Sequence, residues 1–188
     1  NVKKFENDLI YVNSENTRNT LAFLKGYGME FEQVSTLRQS VDTQNLTHFK
    51  FSLLNLLELP IGYYYFLKKD FSFASKNPEF LFENWGKLEF NLKVLSQSKT
   101  KNVFIANDHN IHNRLFIEAC KLVGVKTFYF QHGGVSKRMP ALDFDVSFLY
   151  GQNDADIYKN LGSPRGEIYL YGNQKIDKSL RKKNLSSK

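Results

Sequence analysis

Short apolar runs alternate with helical segments in the second half of the chain, and this alternation restricts the fold more than any other feature. The run "NVFIA" at 102–106 is rich in β-branched and aromatic residues, as expected of a buried strand. The segment 110–123 repeats apolar residues at helical spacing, and Gly124 follows where a helix commonly ends. The run "KTFYFQ" at 126–131 is the next predicted strand. Strand, helix and strand in this order predict a right-handed unit with parallel strands.

The same alternation extends to both sides of this unit. Further strands are predicted at 9–12, 31–37, 146–151 and 167–172, and further helices between 13 and 28 and at 44–68, 78–96 and 153–161. Asn77 is the predicted N-cap of the helix at 78–96, with Pro78 as its first residue. The pattern predicts an α/β fold, a Rossmann-like three-layer domain with a mostly parallel sheet. We expect one domain over 1–173 and a basic linker or tail over 174–188.

Charge narrows the choice of partners. The formal net charge of +7 favours anionic partners: nucleic acid, phosphorylated sugars, nucleotides or an acidic membrane surface. Apart from the tail, the basic residues are scattered, whereas a nucleic-acid-binding protein is expected to cluster them on one face. Nucleic acid therefore ranks low among these partners.

The lone cysteine and the apolar stretches bear on location. Cys120 is the single cysteine, which excludes an intrachain disulfide and a cysteine-based zinc site and favours a reducing, cytoplasmic compartment. The first residues show no secretory signal. The most apolar stretch, "LLNLLELPIGYYYFL" at 53–67, is too short and interrupted to cross a bilayer. We expect a buried helix that ends near Pro60, with peripheral contact to a lipid-linked substrate or the inner membrane face as the alternative.

Polar residues follow two of the predicted strands at the point where each strand ends. The two clusters are Asn107-Asp108-His109 and Gln131-His132-Gly133-Gly134. Ligands of an open parallel sheet bind beyond the carboxyl ends of its strands. If the two strands are neighbours, both clusters line one cleft.

Two residues of these clusters are candidates for catalysis. Asp108 is either the N-cap of the following helix or a catalytic carboxylate, and Asn110 is a second candidate for the cap. His132 can donate to a phosphate or carboxylate or act as acid or base, and Gln131 can orient it. Its alternative role is a structural hydrogen bond to a neighbouring loop carbonyl. The two glycines that follow permit close approach of a ligand to the backbone.

Other sites and motifs are less well supported by the sequence. His109 and His112 form a weak His-x-x-His pattern near Asp108, but three compact ligands are not evident, so no metal site is predicted. The candidates for anion contact are Arg114, Lys137 and Arg138. No Walker, G-x-G-x-x-G or G-x-S-x-G motif occurs, which argues against a P-loop NTPase, a standard dinucleotide site and an α/β-hydrolase.

Three ordered features over 102–177 carry a resemblance to a known family. They are the acidic "ND" turn between a strand and a long amphipathic helix, "QHG" after the next strand, and "YGNQKID" at 171–177. Together they resemble the N-terminal half of GT-B glycosyltransferases that build bacterial capsule and lipopolysaccharide. "QHG" is similar to the His-Gly turn of capsule transferases and of CDP-glycerol glycerophosphotransferases. "YGNQKID" is similar to the passage where Kdo transferases leave their N-terminal domain for the C-terminal one.

The resemblance implies a role for the chain and for its site residues. The chain would be the acceptor-side half of such an enzyme with the donor half missing, since it begins with Asn and ends just after the crossover passage. In isolation it is expected to be weakly active or inactive. Asp108 would deprotonate the acceptor hydroxyl in an inverting enzyme or attack the anomeric carbon in a retaining one. His132 and Gln131 would orient the donor or neutralise its leaving phosphate or sugar carboxylate.

The implied substrates are a nucleotide sugar, with CMP-Kdo among the candidates, and a glycan or lipid-linked glycan acceptor; no separate cofactor is expected. The remaining predicted substrate contacts are Asn107, His109, Gly133, Gly134, Lys137 and Arg138. Two alternatives stay open. A teichoic-acid-type glycerophosphotransferase would share the His-Gly turn and use CDP-glycerol, and a non-catalytic basic α/β module would only bind an anionic partner.

Overall fold

The computed structural model describes residues 5–12, 15–27, 30–35, 57, 59–107 and 109–173. Several predictions lie outside these described residues: the catalytic candidate Asp108, residues 44–56 of one predicted helix, and the tail over 174–188. The described part forms an α/β fold of the Rossmann-like, three-layer kind.

A sheet of six parallel strands forms the centre of the described residues, in the order β2-β1-β3-β4-β5-β6. The strands are β1 Asp8–Val12, β2 Phe31–Ser35, β3 Asn102–Ile105, β4 Lys126–Phe130, β5 Val146–Leu149 and β6 Glu167–Leu170. Every neighbouring pair runs parallel. The predicted parallel sheet is therefore confirmed.

Helices connect these strands. They are α1 Glu15–Leu21, continued by a 3-10 helix over Ala22–Tyr27, then α2 Leu59–Lys69, α3 Phe71–Lys76, α4 Pro78–Ser96, α5 Ile111–Val123 and α6 Gln152–Leu161. The side chain of Asn110 caps α5 by accepting a hydrogen bond from the backbone N–H of Asn113 at 2.9 Å. Gly124 ends α5 in the left-handed conformation, with φ of 81°. Of the two candidates for this N-cap, Asn110 fills the position.

The helices form layers on both faces of the sheet. On one face, α4, α5 and α6 bury a large core that includes Leu95, Ile117 and Tyr158. On the other face, Leu21 and Leu24 pack against the aromatic and aliphatic side chains of the central strands. This arrangement is what right-handed crossovers produce when the chain first moves to one side of β1 and then to the other.

The α2–α3 region agrees with the prediction in part. The helix predicted to end near Pro60 lies mostly outside the described residues, but α2, which begins at Leu59, falls within the predicted helical range 44–68. It holds Pro60 in its first turn, where the missing N–H costs no helical hydrogen bond. The short helix α3 was not predicted; Asp70 caps it by accepting from the N–H of Phe73 at 3.0 Å. Asn77 precedes α4 as predicted, but its side chain donates to the Phe73 carbonyl instead of capping α4. None of the helices in the described ranges is long and apolar enough to cross a membrane.

Candidate functional site

The strand order reverses between β1 and β3, and this reversal opens a crevice at the carboxyl edge of the sheet. From β1 the chain passes to β2 on one side, whereas β3 is followed by β4, β5 and β6 on the other. The β1–α1 and β3–α5 connections flank this crevice, and the β4–β5 connection lies next to that of β3. Polar residues on these three connections therefore meet at one edge of the sheet.

The turn after β3 is held by the side chain and the carbonyl of Asn107. Its Oδ1 accepts from the N–H of His109 at 3.3 Å, and its carbonyl oxygen accepts from Nδ2 of the buried Asn113 at 2.7 Å. Asp108 lies between the two anchored residues in the sequence, outside the described residues. Asn107 thus shapes the turn that carries the predicted catalytic carboxylate.

The turn after β4 is braced by Gln131, whose side chain is only 1% exposed. Its Nε2 donates to the Gly133 carbonyl at 2.8 Å and to the Asp154 carboxylate at 3.0 Å, and its Oε1 accepts from the N–H of Tyr150 at 2.8 Å. Both amide hydrogens are therefore used within the chain. Of the two roles that the sequence left open, orienting the turn fits this geometry, and direct contact of the Gln131 side chain with a donor does not.

The two predicted histidines of the site lie side by side. The rings of His109 and His132 are nearly parallel, with an interplanar angle of 16° and 6.0 Å between centroids. On the other side of His132, its carbonyl oxygen accepts a long hydrogen bond of 3.4 Å from Nδ2 of Asn16, in the first turn of α1. Residues from the β1, β3 and β4 connections thus converge at the crevice.

Open space borders the two glycines that follow His132. A Cβ added to Gly133 or Gly134 would meet no atom within 4 Å. Neither residue has a positive φ, so the backbone conformation does not require glycine at these positions. Space beside an unobstructed backbone allows a ligand to approach the main chain closely.

The predicted cationic contacts lie on the β4–β5 connection and in α5. Lys137 and Arg138 extend into solvent from the β4–β5 connection, while Val135 and Met139 beside them pack against the core. Arg114 is half-buried in the first turn of α5, and its buried Nη1 has no hydrogen-bond partner among the described residues. Of the three, Arg114 lies at the start of α5, next to the turn after β3.

His112 lies in the first turn of α5. Burial lowers the pKa of His112, the charge of Lys87 lowers it further, and the charge of Glu83 acts in the opposite direction. The charges that affect His112 thus belong to α4. Within the described ranges, no group of three His, Cys, Asp or Glu side chains is arranged to hold a metal ion.

Several residues that complete the site were not predicted. Asn16 follows β1 as Asn107 follows β3, so the same strand-end rule could have found it. Asp154 and Tyr150 act only through Gln131, and the Tyr171 hydroxyl donates to the Gln131 carbonyl at 3.2 Å. Those contacts join distant parts of the chain and carry no local sequence signal.

Comparison of the chain with protein-family profiles, with curated proteins and with solved structures finds no significant match. The case for a function therefore depends on the chemistry of the residues at the crevice.

Proposed function

We propose that this chain is the acceptor-side domain of a GT-B glycosyltransferase that acts in bacterial surface polysaccharide assembly. The observation that supports this most is the convergence of three strand connections at the switch point of the sheet, with His109 and His132 6.0 Å apart. The turn that holds Asp108 is one of these connections. A carboxylate and two imidazoles at one sheet edge suit the transfer of a group from an anionic donor.

Glycosyl transfer requires a carboxylate that acts on either the acceptor or the donor. In an inverting reaction, Asp108 takes the proton of the acceptor hydroxyl, whose oxygen forms a bond to the anomeric carbon. The bond from that carbon to the donor phosphate breaks, and its electron pair leaves with the nucleotide. In a retaining reaction, Asp108 itself bonds to the anomeric carbon as the nucleotide leaves. The acceptor oxygen then bonds to that carbon, its proton passes to the departed nucleotide phosphate, and Asp108 leaves as the carboxylate.

The leaving nucleotide carries negative charge that must be stabilised. In this proposal His132 and His109, whose rings lie 6.0 Å apart, stabilise that charge, and Arg114 adds a cation from the first turn of α5. Because Gln131 and Asn16 hold the His132 turn in place, little reorganisation is required when charge develops. Lys137 and Arg138 then contact the donor phosphates from the β4–β5 connection.

The test is a donor screen with the full-length protein encoded by the gene. CMP-Kdo, other nucleotide sugars and CDP-glycerol are each incubated with glycan and lipid-linked acceptors, and products are followed by mass spectrometry. Transfer of a sugar supports the proposal, and the anomeric configuration of the product by NMR distinguishes inversion from retention. Transfer from CDP-glycerol alone would assign the chain to the glycerophosphotransferases instead. The absence of both transfer and nucleotide binding would contradict the proposal.

A further inference from the structure

The inner face of the α2–α3 hairpin is packed against the start of α4. The Tyr63 hydroxyl donates to the Ala74 carbonyl at 3.1 Å and ties α2 to α3. The Phe66 ring lies 6.0 Å from that of Phe73 and 6.1 Å from that of Phe80, at the start of α4. These contacts account for the half-buried side of α2.

The outer face of the same hairpin is also apolar. Ile61, Tyr64 and Tyr65 are spaced as i, i+3 and i+4, so they form one stripe of α2, and Phe71 follows at the start of α3. Ile61 is 63% exposed, Tyr65 64% and Phe71 71%. We call these four residues the aromatic patch. A helix that is apolar on both faces is expected to have a partner on each, and a rimmed apolar patch marks an interaction site. The buried helix predicted to end near Pro60 lies mostly outside the described residues, whereas α2 after Pro60 leaves this face exposed.

Basic residues lie on the same two helices as the aromatic patch. They are Lys68 and Lys69 in the last turn of α2 and Lys76 in the last turn of α3. The Lys68 Nζ lies 5.5 Å from the centroid of the Tyr64 ring. Over 57–77 these three lysines outnumber the two acids, Glu58 and Asp70, and the Asp70 carboxylate caps α3. The surface therefore combines apolar, tyrosine and cationic side chains.

The aromatic patch lies toward the same end of the fold as the polar crevice. Ser98 and Lys99, just after α4, are hydrogen-bonded to the backbone of Phe5 ahead of β1, so α4 ends at the amino edge of the sheet and begins toward the carboxyl edge. Its 19 residues span about 28 Å, whereas the 4 residues of β3 span about 13 Å, so the first turns of α4 extend past the carboxyl edge. Phe80 belongs to this projecting part, and the α2–α3 hairpin packs on it.

We propose that the aromatic patch docks at the surface of an anionic lipid bilayer. Tyrosine and phenylalanine enter the headgroup region, and the lysines contact lipid phosphates. A second copy of the chain is a poorer occupant, because a two-fold interface would set the same lysines against each other. Docking in this way holds the carboxyl edge of the sheet close to the membrane surface, whether or not the chain transfers a sugar.

The test measures co-sedimentation with vesicles. We expect the protein to sediment with vesicles of phosphatidylcholine and phosphatidylglycerol and to bind phosphatidylcholine vesicles at least about tenfold more weakly. The double variant Tyr65→Ser/Phe71→Ser and the triple variant Lys68→Gln/Lys69→Gln/Lys76→Gln each lower binding to anionic vesicles by about tenfold or more. The control is Leu122→Ser, because Leu122 is 60% exposed on α5, outside the patch, and its loss leaves binding unchanged.

A fluorescent label tests the contact directly. Cys120 is buried, so a Phe71→Cys protein is labelled at the new thiol with an environment-sensitive dye. Its emission shifts to the blue on anionic vesicles, whereas the dye on Leu122→Cys does not respond. Absence of sedimentation with anionic vesicles, or equal sedimentation of the Tyr65→Ser/Phe71→Ser protein, would overturn the proposal. A dimer that Phe71→Ser dissociates would assign the patch to a second copy and overturn it as well. Transfer activity is measured separately, so either proposal can fail without the other.

Discussion

The imidazoles of His109 and His132 lie nearly parallel, 6.0 Å apart between centroids, although they belong to different strand connections. The register of β3 and β4 explains this proximity, because Ile105 pairs with Tyr129 and both strands end soon afterwards on the same edge. Two imidazoles at this distance can act on the same bound anion.

We therefore expect the two histidines to be coupled in the transfer reaction. His109→Ala and His132→Ala are combined in a double-mutant cycle on kcat/KM. The loss in the double variant should differ from the sum of the single losses by about 0.5–3 kcal/mol, as found for residues that share a partner. Strict additivity would show that the rings serve separate functions.

The open space at Gly133 leads to a second expectation. A Cβ at this position meets no atom of the chain and the φ is not positive, so Gly133→Ala should change the free energy of unfolding by less than about 0.5 kcal/mol. If a donor approaches the backbone there, the added methyl group raises KM for the donor. Thermal unfolding and donor titration measure the two effects. An unchanged KM would mean that no ligand contacts this part of the turn.

The fold could be predicted from the sequence where the pattern is local. The helix at 78–96 has the predicted bounds, and the α5 boundaries follow from Asn110 and Gly124, each with its own capping geometry. The strand β1 ends at Val12 as predicted, and β3 to β6 end one or two residues before their predicted limits, where ladder pairing stops. The helix α3 was missed because six residues provide no periodic stripe, and Asp70 was the one local signal of its start.

The site was predictable in outline only. The position of His109 and His132 after neighbouring strands predicted that they lie at one edge of the sheet. It could not predict that the Gln131 amide donates its hydrogen bonds to Gly133 and Asp154 of the same chain. That outcome depends on Asp154 and Tyr150, which reach Gln131 only after β5 and α6 have packed. Polar residues in a turn thus indicate where a site lies, while tertiary contacts decide which side chains remain available to a ligand.

Asp145 should stabilise the opposite edge of the sheet. Its carboxylate accepts from the N–H and hydroxyl of Thr127 at 2.7 and 2.9 Å and from Arg165 at 3.2 Å. Asp145→Asn is expected to lower the free energy of unfolding at pH 7 by about 1–3 kcal/mol, because a charged acceptor loses its bonds. Denaturant unfolding measures this. The control is Glu118→Gln, because Glu118 forms an exposed ion pair with Lys121. This substitution should change the free energy of unfolding by less than about 0.5 kcal/mol.

The pH range in which Asp145 stabilises the fold follows from the direction of its pKa shift. Burial alone would raise the pKa of Asp145, but hydrogen bonds from Thr127 and the charge of Arg165 outweigh burial and hold the pKa below its ordinary value. The unfolded chain then binds the proton more readily than the folded one. The Asp145 carboxylate therefore makes its full contribution to the free energy of unfolding above the ordinary carboxyl pKa of about 3.9. This contribution is lost as the pH falls through the lower pKa of the folded state. Wild type and Asp145→Asn should converge in that acid range; a constant difference would contradict the assignment.

Gly166 should tolerate no side chain, because the backbone at the start of β6 lies against Asp145. An added Cβ would come within 2.0 Å of the Asp145 carbonyl oxygen. Gly166→Ala must therefore displace main chain, and we expect a loss of at least about 2 kcal/mol in the free energy of unfolding. Differential scanning calorimetry compares it with Gly134→Ala, where the added methyl group meets no neighbour. Equal melting temperatures for the two variants would exclude this close approach.

The central claim is that the turns after β3 and β4 form one catalytic site. Its most direct test is the transfer rate of Asp108→Asn and His132→Ala, measured with the donor that the wild-type protein uses. Each change should lower kcat by about a hundredfold or more, because the first removes the acid–base or nucleophilic group and the second a stabilising donor. His112→Ala, whose electrostatic partners lie on α4, should leave the rate unchanged. Undiminished transfer by Asp108→Asn and His132→Ala, with circular dichroism like that of the wild type, would contradict the claim.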